Sequence, residues 1–232
     1  MLQLIRTLFI FGFTISAFWL TGCGVSTAEK KEPEKPRRSK TVTQTAPDNR
    51  PKIIAFGDSL TAGFGLTEKE SYPFLLQQKL DADGYSYEVI NAGVSGETSL
   101  GGLERIDWVL EQKNAEILIL ELGANDLLRG LPVDKMKENL SGIIKKADEK
   151  HVKVLLCGML APDTMGAKYQ RDYLMAFPDL ASEHKVAFLP FILEGIALDK
   201  NLNQADGIHP NAEGEKIMTR NVYQALKPLL KK

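Results

Sequence analysis

From residue 52 onward, short apolar runs alternate with segments whose apolar positions recur every three to four residues. Short runs bounded by Gly, Asn or Asp read as buried strands, and the longer period reads as amphipathic helix. Strands are predicted over 52–56, 87–90, 117–122, 152–157 and 186–189. Helices are predicted over 70–82, around Leu103, Ile106, Val109 and Leu110, and over 133–150, 169–184 and 211–230. Gly84 closes the first helix, and Pro178 is expected to kink or split the fourth. The run 117–122 is strongly apolar, which suits a central strand covered on both faces. Repeated strand–helix units imply a parallel sheet wrapped by helices, and right-handed crossovers leave few topologies. The expected fold class is α/β, a flavodoxin-like three-layer αβα sandwich with a five-stranded parallel sheet in the order 2-1-3-4-5.

The first fifty residues follow a different pattern. Arg6 precedes an apolar run from Leu8 to Leu20, too short for a comfortable membrane span of ~20 residues. A positive start, a short apolar core and small residues describe an export signal. The segment ends Leu20-Thr21-Gly22-Cys23, which resembles the bacterial lipobox. That resemblance implies a signal peptide over 1–22, cleavage before Cys23 and lipidation of Cys23, hence an exported protein held to a membrane. Gly24 supplies no acidic retention signal, which leans toward an outer membrane where the cell has one. Residues 24–50 carry seven Lys and Arg against four Asp and Glu, a net of +3, and almost nothing large and apolar. Such a segment buries too little to offset its ordering entropy, so 23–50 reads as an anchor plus disordered tether and 51–232 as the folded domain.

Net charge of the whole chain is −1, so no electrostatic case for nucleic acid arises. The two cysteines, Cys23 and Cys157, exclude a disulfide scaffold, and no metal-ligand spacing of Cys and His appears. Cys157 ends an apolar run and reads as a buried structural thiol.

In an open parallel sheet, ligands bind beyond the carboxyl ends of the strands. The loops expected there hold the polar and Gly-rich oddities of the sequence. Gly57-Asp58-Ser59 follows the first strand, and Asn91-Ala92-Gly93-Val94-Ser95-Gly96-Glu97 the second. Gly123-Ala124-Asn125-Asp126 follows the third, and Asp206-Gly207-Ile208-His209-Pro210 precedes the last helix.

A serine hydroxyl is a weak nucleophile and needs a base within hydrogen-bond reach. His151 and His184 read as solvated helix-end residues, whereas His209 lies in a crevice loop. Asp206 is three residues before His209, close enough in one turn to accept from its Nδ1–H and fix the tautomer. Acyl transfer also needs oxyanion donors, for which the Ser59 N–H, the Gly93 N–H and the Asn125 amide are candidates. Asn125 could instead cap the helix after the third strand, with Asp126 the better candidate for that role. Asp58 is expected to bond the loop backbone. A G-x-S-x-G elbow is excluded, because position 61 is Thr.

These blocks resemble the SGNH or GDSL hydrolases. Gly57-Asp58-Ser59-Leu60 is similar to the family's first block, Gly93 falls in the second, and Gly123-Ala124-Asn125-Asp126 is similar to the third. Asp206-Gly207-Ile208-His209-Pro210 is similar to the last. The likeness runs from about Lys52 to Leu229 and is strongest to bacterial thioesterase I and arylesterase enzymes, through segments such as Ile119-Leu120-Glu121-Leu122-Gly123. It implies a cofactor-free hydrolase with Ser59, Asp206 and His209 as triad and Ser59, Gly93 and Asn125 as oxyanion hole. Ala124 departs from the Gly often found there. The expected substrate is a small acyl ester or thioester, with Met159, Leu160, Phe191 and Ile192 as candidate pocket walls. A monomer is expected. A cell-surface carbohydrate O-acetylesterase is the alternative.

Overall fold

The computed structural model describes residues 49–232. The expected signal peptide, Cys23 and nearly all of the tether lie outside the described residues. Five strands form one parallel sheet in the order β2-β1-β3-β4-β5, as the alternation requires. They are β1 (Lys52–Gly57), β2 (Glu88–Gly93), β3 (Ala115–Glu121), β4 (Lys153–Cys157) and β5 (Ala187–Leu189). β1 and β3 occupy the middle, and Ile53 to Phe56 and Ile117 to Leu120 are wholly buried.

The longer helices are α2 (Tyr72–Ala82), α3 (Ser99–Val109), α5 (Val133–Glu149), α6 (Ala167–His184) and α7 (Ala212–Leu226). α3, α5 and α6 pack side by side, and α2 pairs with α7, giving the two helical layers. On α5, Met136, Leu140, Ile143, Ile144 and Ala147 are buried, the one stripe expected of a 3.6-residue period. Two shorter helices, α1 (Ser59–Ala62) and α4 (Ala124–Leu128), follow β1 and β3 directly. At four and five residues they are too short to leave a periodic signature.

Pro178 does not split α6. With no backbone N–H it can donate no hydrogen bond to the i−4 carbonyl, yet the helix continues through it, clamped by buried Tyr173, Ala176, Phe177, Leu180 and Ala181. β2 runs three residues beyond the expected end at Ile90. Its register with β1 continues to Gly57↔Gly93, and β1 is at the same level as β3 through Gly57↔Glu121. That row of Gly93, Gly57 and Glu121 is the carboxyl edge on which the site is built. No helix among the described residues is long and apolar enough to cross a membrane.

Candidate active site

The site begins where β1 ends. Asp58 caps α1, its Oδ1 accepting from Leu60 N at 3.0 Å, and Ser59 is the first helical residue. Capping by Asp is the local reason the chain turns sharply into a helix here. The Ser59 hydroxyl faces His209, with Oγ to Nε2 at 2.9 Å. His209 Nδ1 lies 2.7 Å from Asp206 Oδ2. Asp206 Oδ1 accepts from Ile208 N at 3.0 Å and from His209 N at 3.1 Å. One carboxylate therefore shapes the turn and touches the imidazole. The His209 contact and those backbone donors hold the Asp206 pKa down at about 2.

Two features that sequence reasoning missed hold His209 from the other side. Phe64 packs on its ring, centroids 4.7 Å apart. Gln204 Nε2 donates to Phe64 O at 2.7 Å and to Pro210 O at 2.9 Å, tying the loop after α1 to the loop of His209. Gly65 lets this happen. It sits at φ 76°, and a Cβ there would lie 2.3 Å from Gln204 Oε1.

Asn125 sits in α4 and caps nothing. Its Nδ2 donates to Asp58 Oδ2 at 2.8 Å, leaving the second amide hydrogen of Nδ2 for a ligand. Asp126 has a role in another helix: its carboxylate accepts from Ser99 N at 2.8 Å and Ser99 Oγ at 2.6 Å, at the start of α3. Gly93 presses on α1, where a Cβ would stand 2.3 Å from Ala62 N, so close backbone approach demands glycine. The Gly93 N–H donates to Asn91 Oδ1 at 3.0 Å, so it can serve another acceptor only when that side chain moves away. Arg105 fixes this edge, donating to Ala92 O at 2.8 Å and to the Glu97 carboxylate.

A buried acid lies beneath. Glu121 Oε2 accepts from Asp58 N at 3.2 Å and from Thr61 Oγ1 at 2.9 Å. Both carboxyls are almost wholly buried. Burial raises both carboxyl pKa values, and the Asp58 charge pushes Glu121 well up. Because Leu60 N and Asn125 Nδ2 donate to Asp58, Glu121 is the member that favours the neutral form.

Beside Ser59 and His209 opens a groove of about 500 Å³. Its wall is mainly apolar and includes Leu127, Met159, Leu160, Phe191 and Leu193. Ile192, a candidate wall, is instead fully buried in the core. His184 is not solvated as expected: its ring is tucked in and meets Ser141 Oγ at 2.9 Å. Cys157 is buried, and burial raises its thiol pKa well up, as befits an inert thiol.

Residues 55–217 match the GDSL-like lipase/acylhydrolase family. The chain belongs to this family and is a hydrolase of ester bonds. It is 38% identical over 178 residues to the esterase TesA of Pseudomonas aeruginosa, covering 77% of this chain and 89% of that one. It is 32% identical over 178 residues to thioesterase 1/protease 1/lysophospholipase L1 of Escherichia coli K12, covering 77% and 84%. Among solved structures, the psychrotrophic esterase EstA from Pseudoalteromonas, inhibited by monoethylphosphonate, is similar at 35% identity with a TM-score of 0.73. That match covers 76% of this chain and 97% of the other.

Proposed function

We propose that this hydrolase cleaves carboxylic esters and acyl thioesters through a Ser59–His209–Asp206 triad and an acyl-enzyme. The observation that carries the reading is the 2.9 Å contact of Ser59 Oγ with His209 Nε2 at the mouth of an apolar groove. Ser59 attacks the acyl carbonyl as His209 takes its proton. Asp206 holds the tautomer in which Nε2 is free to accept and stabilises the imidazolium that forms. The Ser59 N–H, the Asn125 amide and the Gly93 N–H, once released from Asn91, receive the oxyanion. His209 then protonates the leaving alkoxide or thiolate. In the second half, water attacks the acyl-enzyme with His209 again as base, and Ser59 is regenerated. No cofactor takes part.

The groove supports a substrate with an apolar acyl chain, and the Escherichia coli relative is named for thioesterase and lysophospholipase activities. A carbohydrate O-acetylesterase would not need such a wall. We further read the protein as an exported monomer, anchored through lipidated Cys23 to a membrane, the outer one where two exist. The readings are tested with p-nitrophenyl esters of increasing acyl length. Turnover rising from acetyl to medium chains is expected, and Ser59→Ala should abolish it while leaving the fold intact. Residual turnover near wild type would reject the triad. Turnover confined to acetyl groups would favour the carbohydrate reading. A Cys23→Ser chain that still fractionates with membranes would reject the anchor.

A further inference from the structure

Among the described residues nine large apolar side chains are exposed, and they are unevenly placed. Leu128, Leu160, Leu198 and Ile208 stand around the mouth of the catalytic groove. Phe64 joins them against His209, and Val94 lies beside Gly93 at the same edge. Trp108, by contrast, lies near Asn49 and Lys52 at the amino edge, Leu100 lies on α3 and Met175 lies on α6. Monomeric proteins seldom gather exposed apolar side chains on one face without a binding purpose.

Groove walls alone do not account for this rim. A wall residue is covered on its outer side, as Met159 and Leu127 are, at 8% and 7% exposure. Leu198 is 94% exposed, so nearly all of its surface faces outward. Its backbone is also held at φ 67°, in the left-handed region that a non-glycine residue enters at a cost of ~1 kcal/mol or more. The fold thus strains a residue to present a leucine to solvent at the mouth of the site.

We infer that this rim rests in a lipid surface, the one that holds Cys23, so that acyl substrates pass from the lipid into the groove. The inference rests on the anchoring proposed above. The reach of the chain favours that occupant. Residues 24–48, about 25 in number, span up to ~80 Å when extended, against a domain roughly 40 Å across. The folded chain starts at the amino edge, beside Trp108, and a tether of that length lets the opposite edge turn down onto the membrane. A second copy of the chain fits less well, because it would cover the groove that substrate must enter.

The test uses the full chain with Trp19→Phe and Trp108→Phe and one reporter, Leu198→Trp, recovered from cells and placed in phosphatidylglycerol–phosphatidylcholine vesicles. With bromine on the lipid acyl chains, the reporter at position 198 should lose most of its emission and shift to the blue. A Leu128→Trp reporter should behave alike, and native Trp108 in a Trp19→Phe chain should keep its emission. Unquenched reporters at 198 and 128 in protein that sediments with the vesicles overturn the docking and leave the anchor standing. Quenching of Trp108 alone, or a dimer with unquenched reporters, also overturns it. Protein that stays in the supernatant overturns docking and anchor together. Turnover of soluble p-nitrophenyl butyrate by the same samples reports on Ser59 chemistry separately.

Discussion

Asn125 Nδ2 donates to Asp58 Oδ2 at 2.8 Å, so the residue just before Ser59 holds the side chain opposite it. The same Asp58 also caps the helix that begins with Ser59. Ser59 and the Asn125 amide, the proposed nucleophile and oxyanion donor, are thereby set by one carboxylate. Asp58→Ala is expected to lower kcat roughly 10- to 100-fold with little change in KM, because Asn125 can then rotate away from the oxyanion. Asn125→Ala should cost ~10²–10³ in kcat. The double variant should be no worse than Asn125→Ala beyond the capping loss of ~1 kcal/mol in stability. Fully additive losses in steady-state kinetics would refute the coupling.

Glu121 should act as a neutral carboxyl. Glu121→Gln preserves an acceptor for Thr61 Oγ1 and Asp58 N and is expected to keep kcat within a few fold. Glu121→Leu leaves those buried donors without a partner, at ~1–3 kcal/mol each, and should lower both Tm and kcat. A Gln variant as damaged as the Leu variant in kcat and melting would show that a charge is needed instead.

Asp206→Asn should separate activity from stability. Loss of the tautomer-fixing acceptor is expected to lower kcat/KM by roughly 10³-fold or more. The stability effect should be small, below ~1 kcal/mol, because more than a third of the Asp206 side chain faces solvent. Its sign follows from the lowered pKa of about 2. The ionised group stabilises the fold above the ordinary carboxylate range, and that contribution is lost as pH falls through 2. Melting curves of wild type and variant should therefore converge toward pH 2. A gap that widens on acidification contradicts this.

Glu215 predicts the opposite dependence. It is buried on α7 and its pKa is raised to about 8 by burial, opposed by the Tyr72 backbone N–H. A folded pKa above the unfolded one means that destabilisation grows as pH rises from about 4.5 and is complete above 8. Glu215→Gln should remove that loss. The variant should melt close to wild type at pH 5 and well above it at pH 8.5, with a gap of about 5 kcal/mol at most. Equal Tm differences at both pH values would mean that the carboxyl is already charged at pH 5.

Much of the fold was legible because its signals are local. Apolar runs and 3.6-residue stripes mark the five strands and five long helices, and the crossover rule narrows the strand order to a few, of which the flavodoxin-like one is found. The Asp206–His209 contact was legible because three residues of turn bring them together. Glu121 was not singled out in the sequence, although a charged residue inside an apolar central strand must find partners and so left a signal that could have marked it. Gln204 left none. It bridges to Phe64 across 140 residues, and nothing at either position marks the pairing. Pro178 misled for the reverse reason, since its propensity to break a helix is overridden by the packing of its neighbours.

The chain itself, through spacing and periodicity, determined which segments become strands and which loops gather at one rim. It also determined which residue types are available there for acyl transfer. Tertiary structure decided what those residues touch: that Asn125 leans on Asp58, that Gly93 meets α1 and that Leu198 faces outward. The reason is physical. Periodicity and capping act within a few residues of sequence, whereas hydrogen bonds and steric limits between loops exist only after the sheet has set its register and brought distant edges within a few ångströms.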